Sequence, residues 1–259
     1  MTDDALFAHI ERHQGTTPWG SVLDAGTGMH SLRWIAGLET ERWTAVTASE
    51  KRARSLKARF KGVLRPKDEV VVGLWTNPRF MNDQVFDVVI ADYLLGAIDG
   101  FTPFFQDQLF PRLKPLVGQR LYLVGLEPYP DTTEDPRARV ILEIARARDA
   151  CYLLSWGRPY REYPMDWVCR HLEQSGFVVE SATQFPNILG RNFIKRQLEV
   201  ARSCLADFPN RKMEKAMREH LAALESRATQ IAGTRGIRFG HDYVVCARPA
   251  DPPQLVGAG

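Results

Sequence analysis

Apolar positions in the first half of the chain fall into short, dense runs separated by amphipathic stretches. The runs at 22–24, 43–47, 69–73, 86–91 and 120–126 are too short for helices and read as strands. The fourth, Phe86-Asp87-Val88-Val89-Ile90-Ala91, is almost wholly apolar, as a strand buried on both faces must be. Between the runs the period changes to that of a helix, around residues 31–37, 49–62 and 102–114. A further helix over Asp4–His13 precedes the first strand, with Leu6, Phe7 and Ile10 on one side and Gly15 as its stop. Alternating strands and helices predict a parallel sheet wound with right-handed crossovers.

The second half has another rhythm. Glu127-Pro128-Tyr129-Pro130-Asp131 is a stiff loop. Helices are predicted over 135–152 and 164–175, the second closed by Gly176. A sixth strand follows at 177–182. Two amphipathic helices then occupy about 189–231, broken near Phe208-Pro209-Asn210, and a last strand covers 242–247. A mobile Pro/Gly-rich tail is expected from Pro252. There is no internal repeat and no low-complexity tract.

Composition narrows the class without choosing a function. At 259 residues the chain holds one large domain or one domain with a sizeable insertion. A net charge of +3 neither demands nor excludes nucleic acid. Cys151, Cys169, Cys204 and Cys246 form no C-x-x-C pair, and His171 near Cys169 lacks further ligands at zinc-site spacing, so no metal is expected and the thiols read as reduced. The acidic start lacks a signal-peptide core, and no run approaches the roughly 18 apolar residues of a membrane span. A cytoplasmic protein is the expectation.

Chemistry concentrates after the first strand, in Ser21-Val22-Leu23-Asp24-Ala25-Gly26-Thr27-Gly28-Met29-His30-Ser31. A buried strand, an acid and a glycine turn opening a helix let bare backbone approach a nucleotide-like ligand. Ser31 stands where the dinucleotide fingerprint needs its last glycine. The segment resembles instead the D-x-G-x-G motif of class I S-adenosylmethionine-dependent methyltransferases. Five strands, a helix-rich interlude and two closing strands are similar to the same family, over roughly residues 18–184 plus the terminal strand.

The resemblance implies an α/β, Rossmann-like, mostly parallel seven-stranded sheet whose last strand is antiparallel, inserted between the fifth and sixth. Residues 1–188 would be the core, including inserted helices at 131–162. Residues 189–238 would be a helical cap, and 239–259 the final strand and tail. The implied cofactor is S-adenosyl-L-methionine. Asp24, Ala25, Gly26, Thr27 and Gly28 would hold its amino-acid end, and Gly26→Val is expected to abolish binding while leaving the fold mostly intact. His30 stands where the family has a third glycine; it faces the acceptor as a base or merely starts the helix. The family's ribose-binding acid falls on Thr47, so Glu50, one turn on, takes that role or is a helix-start acid. Trp75 stacks on adenine or belongs to the core.

Asp92 and Tyr93, after the fourth strand, are candidates for cofactor contact and acceptor orientation, or a helix cap and a packed ring. Glu127 orients the acceptor, acts as base, or is a solvated loop acid. Tyr93, Glu127 and His30 are thus the candidate catalytic groups. The loop Arg158-Pro159-Tyr160-Arg161-Glu162-Tyr163-Pro164 suits an anionic or aromatic ligand or a salt-bridged turn. The basic residues of the insertion make a solvated face, a lid or a docking surface.

The function implied is in-line methyl transfer to a small-molecule acceptor, enclosed by segments 128–164 and 189–238. Nucleic-acid and membrane partners are not expected, and a homo-oligomer is left open. Rivals are a protein or RNA methyltransferase docking through its basic helices, a non-catalytic binding subunit of the same fold, and an aminopropyl transferase lacking its acidic pair.

Overall fold

The computed structural model describes residues 4–155 and 157–250; the tail from Pro252 lies outside them. Its sheet has seven strands: β1 (Ser21–Asp24), β2 (Arg42–Thr47), β3 (Glu69–Val72), β4 (Phe86–Asp92), β5 (Val117–Leu126), β6 (Phe177–Leu189) and β7 (Ile237–Pro249). They are ordered β3-β2-β1-β4-β5-β7-β6. β1 to β5 pair in parallel, and β7 runs antiparallel to β5. This is the sheet the resemblance implied.

Strand alternation sorts side chains between two cores. Val22, Ala45, Val88, Ile90, Tyr122, Val124, Val244 and Cys246 point to one side. There they meet α1 (Ala5–Gln14), α2 (Met29–Ile35) and α3 (Glu50–Arg59) through Phe7, Ile10, Leu32, Ile35 and Leu56. Leu23, Val46, Val89, Leu121, Leu123 and Val245 point to the other. They meet α5 (Gln106–Leu113) and α7 (Met165–Gln174) through Leu109, Leu113, Val168 and Leu172. Burying each such side chain stabilises the fold by about 1.5–3 kcal/mol. Between β4 and α5 lies a one-turn helix, α4 (Leu94–Ala97), that the periodicity did not anticipate.

Residues form two compact units. The first comprises the described part of Met1–Glu127, Arg161–Phe185 and the described part of Asp242–Gly259; the second comprises Pro128–Tyr160, apart from residue 156, and Pro186–His241. The sequence expectation grouped 131–162 with the sheet, but most of that segment clusters with the later insertion. The reason is apolar: α6 (Pro136–Leu154), α8 (Arg191–Ser203) and α9 (Arg211–Ala232) share a core of Val140, Ile144, Ile194, Leu198, Leu221 and Leu224. β6 and β7 also run longer than predicted, contributing residues to both units. Their extensions carry Gln184, Pro186, Asn187 and Gly240, poor strand formers that read as loop in isolation.

Candidate active site at the carboxyl edge of the sheet

β1 delivers Asp24 to the carboxyl edge and the chain turns sharply into α2. The turn is stitched to both neighbouring strands: the Ala25 amide donates to the Ile90 carbonyl at 2.8 Å and the Thr27 amide to Val46 at 2.7 Å. The two glycines do different work. A Cβ at Gly26 would lie 2.7 Å from Leu94 Cδ1 and 3.1 Å from its Cβ, so Gly26 is bare because α4 packs on it. Gly28 has extended backbone, φ −117°, open to any residue. A Cβ there would meet nothing closer than 4.0 Å. Neither backbone nor protein packing requires glycine at position 28; a ligand passing over it would. The Gly28 amide itself donates to Ser31 Oγ at 3.1 Å, so what Gly28 offers a ligand is its missing side chain.

Asp24 is 1% exposed. Its Oδ2 accepts from Ser31 Oγ at 2.9 Å, while Oδ1 is buried with no hydrogen-bond partner. Burial pushes its pKa up to about 6; nearby Thr27, Ser31 and the Gly26 amide oppose the rise. Asp92, which ends β4, is pushed up to about 7, first by burial and then by the charges of Asp24, Asp4 and Asp242. Tyr93 is in the left-handed region, φ 48°, a conformation costing roughly 1–2 kcal/mol for a side chain of this kind. Burial raises its phenol pKa, and a hydrogen bond to Asp242 helps hold it neutral.

Alternation carries Asp24, Asp92 and Asp242 to one face. They continue the rows Val22-Asp24, Ile90-Asp92 and Val244-Asp242, whose apolar members lie in the α1–α3 core. Thr47 continues Trp43 and Ala45 on that face, buried, with its hydroxyl accepting from the Ser49 amide at 3.3 Å. The sequence thus located Asp24, Thr47, Asp92 and Tyr93 on one side of one edge. It missed Asp242 and Asp4. Asp242 arrives because antiparallel pairing sets it opposite Leu126 at the end of β5. Asp4 arrives as the N-cap of α1, accepting from the Leu6 amide at 2.8 Å. An acid at the start of the last apolar run was the available signal for Asp242.

Other expected site residues stand elsewhere. Trp75 is 4% exposed, and its indole donates to the Ala25 carbonyl at 2.8 Å. It braces the glycine turn from the opposite core and offers little face for stacking. Glu127 Oε1 accepts from the Met165 amide at 3.0 Å and from Gln184 Nε2 at 2.9 Å. It therefore caps α7, whose N-cap Pro164 supplies no side chain, rather than joining the aspartates. His30 has a side chain 64% exposed, and Nε2 lies 3.6 Å from Asp4 Oδ2, so it ties α1 to α2. Glu50 is an exposed first-turn acid of α3, behind the Ser49 cap. In the Arg158–Pro164 loop, Glu162 is set against Gly96, and the Tyr163 carbonyl accepts from Tyr243 Oη at 2.8 Å.

No protein-family model and no curated protein matches the chain. Solved structures do. A putative methyltransferase from Bacillus halodurans superposes with a TM-score of 0.60 at 14% identity, covering 94% of this chain and 98% of that one. The mycolic acid cyclopropane synthase CmaA1, complexed with SAH and CTAB, gives 0.56 at 15% identity, with 96% and 86% covered. The chain has the class I methyltransferase fold. The [4+2]-cyclase SpnF shares this methyltransferase-type architecture with a TM-score of 0.55 at 12% identity, covering 94% of this chain and 79% of that one. The fold therefore carries more than one chemistry, and the site must decide between them. Among the described residues, no group of His, Cys, Asp and Glu is arranged to hold a metal ion, and no helix is long and apolar enough to cross a membrane.

Proposed function

We propose that this chain is an S-adenosylmethionine-dependent methyltransferase acting on a small-molecule acceptor. The observation that carries this reading is the pairing of a buried, unpartnered Asp24 Oδ1 with the open space over Gly28. An ammonium satisfies the first, and a ligand backbone fills the second. Thr47, on the same face one strand over, offers its hydroxyl to the ribose. When bound, S-adenosylmethionine supplies a methyl group on a sulfonium, an electrophile that carries its own leaving group.

The protein's own work is then alignment. Asp24 fixes the amino-acid end and Trp75 stiffens the turn that carries Gly28. Tyr93, held by Asp242 in a strained backbone, and Asp92 border the place where an acceptor approaches. The catalytic roles considered for Glu127 and His30 are not part of this proposal, because Glu127 caps a helix and His30 is a solvent-facing latch.

Docking of a polyanion through the insertion gains less support. Lys195, Arg202, Lys215 and Arg218 of the basic run, and Arg227 after it, are each paired with a glutamate of their own unit, Glu199, Glu225, Glu219, Glu214 and Glu143, which reduces the positive charge the run offers a polyanion. The test is calorimetric titration with S-adenosylhomocysteine, followed by methyl-label transfer to small-molecule and to RNA fractions. Binding with label in the small fraction is expected. Label only in RNA overturns the acceptor class, and absence of binding at millimolar ligand overturns the donor.

A further inference from the structure

Ser31 on α2 is 0% exposed, an unusual place for a residue type that mostly stays near water. Its neighbours Leu32, Trp34 and Ile35 bury apolar side chains in the same helix. The Ser31 hydroxyl is used twice: it accepts from the Gly28 amide at 3.1 Å and donates to Asp24 Oδ2 at 2.9 Å.

The two bonds fix each other's direction. A backbone N–H can only donate, so Ser31 Oγ is an acceptor towards Gly28 and has one hydrogen left to give. Two oxygens are in reach, Asp24 Oδ2 at 2.9 Å and the Gly28 carbonyl at 3.4 Å. The shorter, charge-assisted bond takes the hydrogen. Thr27 is no equal substitute, because its own hydroxyl donates to the Gly28 carbonyl at 3.3 Å. The amide polarises the Ser31 hydroxyl and strengthens its donation. A hydroxyl held as a donor favours the carboxylate over the neutral acid. It also occupies Oδ2, so Oδ1 is the oxygen left bare. A residue that only capped α2 would need the Gly28 bond alone.

We propose that Ser31 is a positioning residue of the donor site: it keeps Asp24 ionised and leaves Oδ1 as the one oxygen for the ammonium group of the bound S-adenosyl compound. This rests on the methyltransferase reading above. Burial pushes the Asp24 pKa up to about 6, and Thr27, Ser31 and the Gly26 amide hold it from rising further. The titratable groups on the elements around it are Asp92 on β4, Asp242 on β7, Asp4 on α1 and His30 on α2. The three carboxylates do not favour a further negative charge, and His30 lies beside Asp4 at 3.6 Å. Hydrogen bonds therefore keep Asp24 charged near neutral pH, and the Ser31 bond is the one whose direction a backbone amide enforces.

The decisive measurement is S-adenosylhomocysteine affinity by calorimetry between about pH 5 and 8, with Tm, for the wild type, Asp24→Asn, Ser31→Ala and Ser31→Cys. Wild-type affinity is expected to weaken about tenfold per pH unit below a break near pH 6. Asp24→Asn removes that break, which separates it from any contribution of Asp92. Ser31→Ala moves the break up by about one pH unit or more, the loss of one charge-assisted bond, so affinity falls further at pH 6 than at pH 8. Ser31→Cys, close in size and a weak donor, moves it the same way by less, and carries the test if the alanine variant fails to fold. A wild-type profile without a break overturns the proposal. So does an unmoved break in the Ser31 variants, with equal loss of affinity at every pH or a lowered Tm alone, which makes Ser31 a helix cap. Wild-type protein that fails to bind S-adenosylhomocysteine at any pH instead contradicts the donor reading beneath it.

Discussion

The two ends of the same sheet treat buried and half-buried carboxylates in opposite ways. At the amino end, Asp68 accepts from the Trp43 amide at 3.0 Å and from the Arg65 amide, Nε and Nη2, and its pKa is held below the usual range by those bonds against the cost of burial. Asp87 likewise accepts from the Ser21 amide and hydroxyl at 2.8 Å and from Gln119, with its pKa lowered. At the carboxyl end, Asp24 and Asp92 have fewer donors; burial raises both, and the neighbouring aspartate charges raise Asp92 further. A satisfied carboxylate is a staple. An under-satisfied one stores a cost that a ligand relieves.

The comparison breaks most visibly by substitution. Gly28→Val should lower S-adenosylhomocysteine affinity by about a hundredfold or more, by filling the ligand's space, with little change in Tm. Unchanged affinity in that variant removes the ligand from the turn. Asp68→Ala should do the reverse: it leaves the Trp43 and Arg65 donors unpaired, destabilises by about 3 kcal/mol in denaturant unfolding, and spares ligand affinity in the folded fraction. Gly26→Ala sits between them, since its Cβ meets Leu94 and costs about 1–3 kcal/mol of overpacking before any ligand effect. It is therefore a poorer probe of binding than Gly28.

Acid separates the ends by sign. Asp24 has a folded pKa near 6, above its unfolded value, so its stability contribution is fully present below about pH 4 and is lost as pH rises through about 6. The loss is on the order of 3 kcal/mol, so the apo protein's unfolding free energy is expected to fall over that window; Asp24→Asn removes the Asp24 part of the fall and leaves the part due to Asp92, whose folded pKa is pushed up to about 7. Asp68 and Asp87 act oppositely: their contribution holds above the unfolded pKa and disappears as pH falls through their lowered folded values. A pH–stability profile without a decline between about pH 4 and 7, flat or rising there, would contradict the strained state of Asp24. The smallest expected effect is Trp75→Phe, which loses the bond to the Ala25 carbonyl and about 1 kcal/mol, with a several-fold loss of affinity through a looser turn.

Much of this was readable from the chain. The apolar runs fixed the five parallel strands because double burial leaves few polar residues to blur them. The positions of Asp24, Thr47, Asp92 and Tyr93 at the carboxyl edge were legible because each ends a strand or directly follows one. Glu127 and Trp75 were not, since which face a residue takes just past a strand depends on where pairing stops. Glu127 falls beside the start of α7, and that neighbour comes from a distant segment. Asp4 and Asp242 were hidden for the same reason: one is placed by helix capping and the other by antiparallel register. The grouping of 128–160 with 186–241 depends on a shared apolar core that no local pattern announces.

The most direct test of the central claim is calorimetric titration of S-adenosylhomocysteine into the wild-type chain and into Gly28→Val, with Tm measured on both. The account predicts one saturable site in the wild type, lost in the variant at unchanged Tm. Equal binding by the two proteins, or none by either at millimolar ligand, would contradict it.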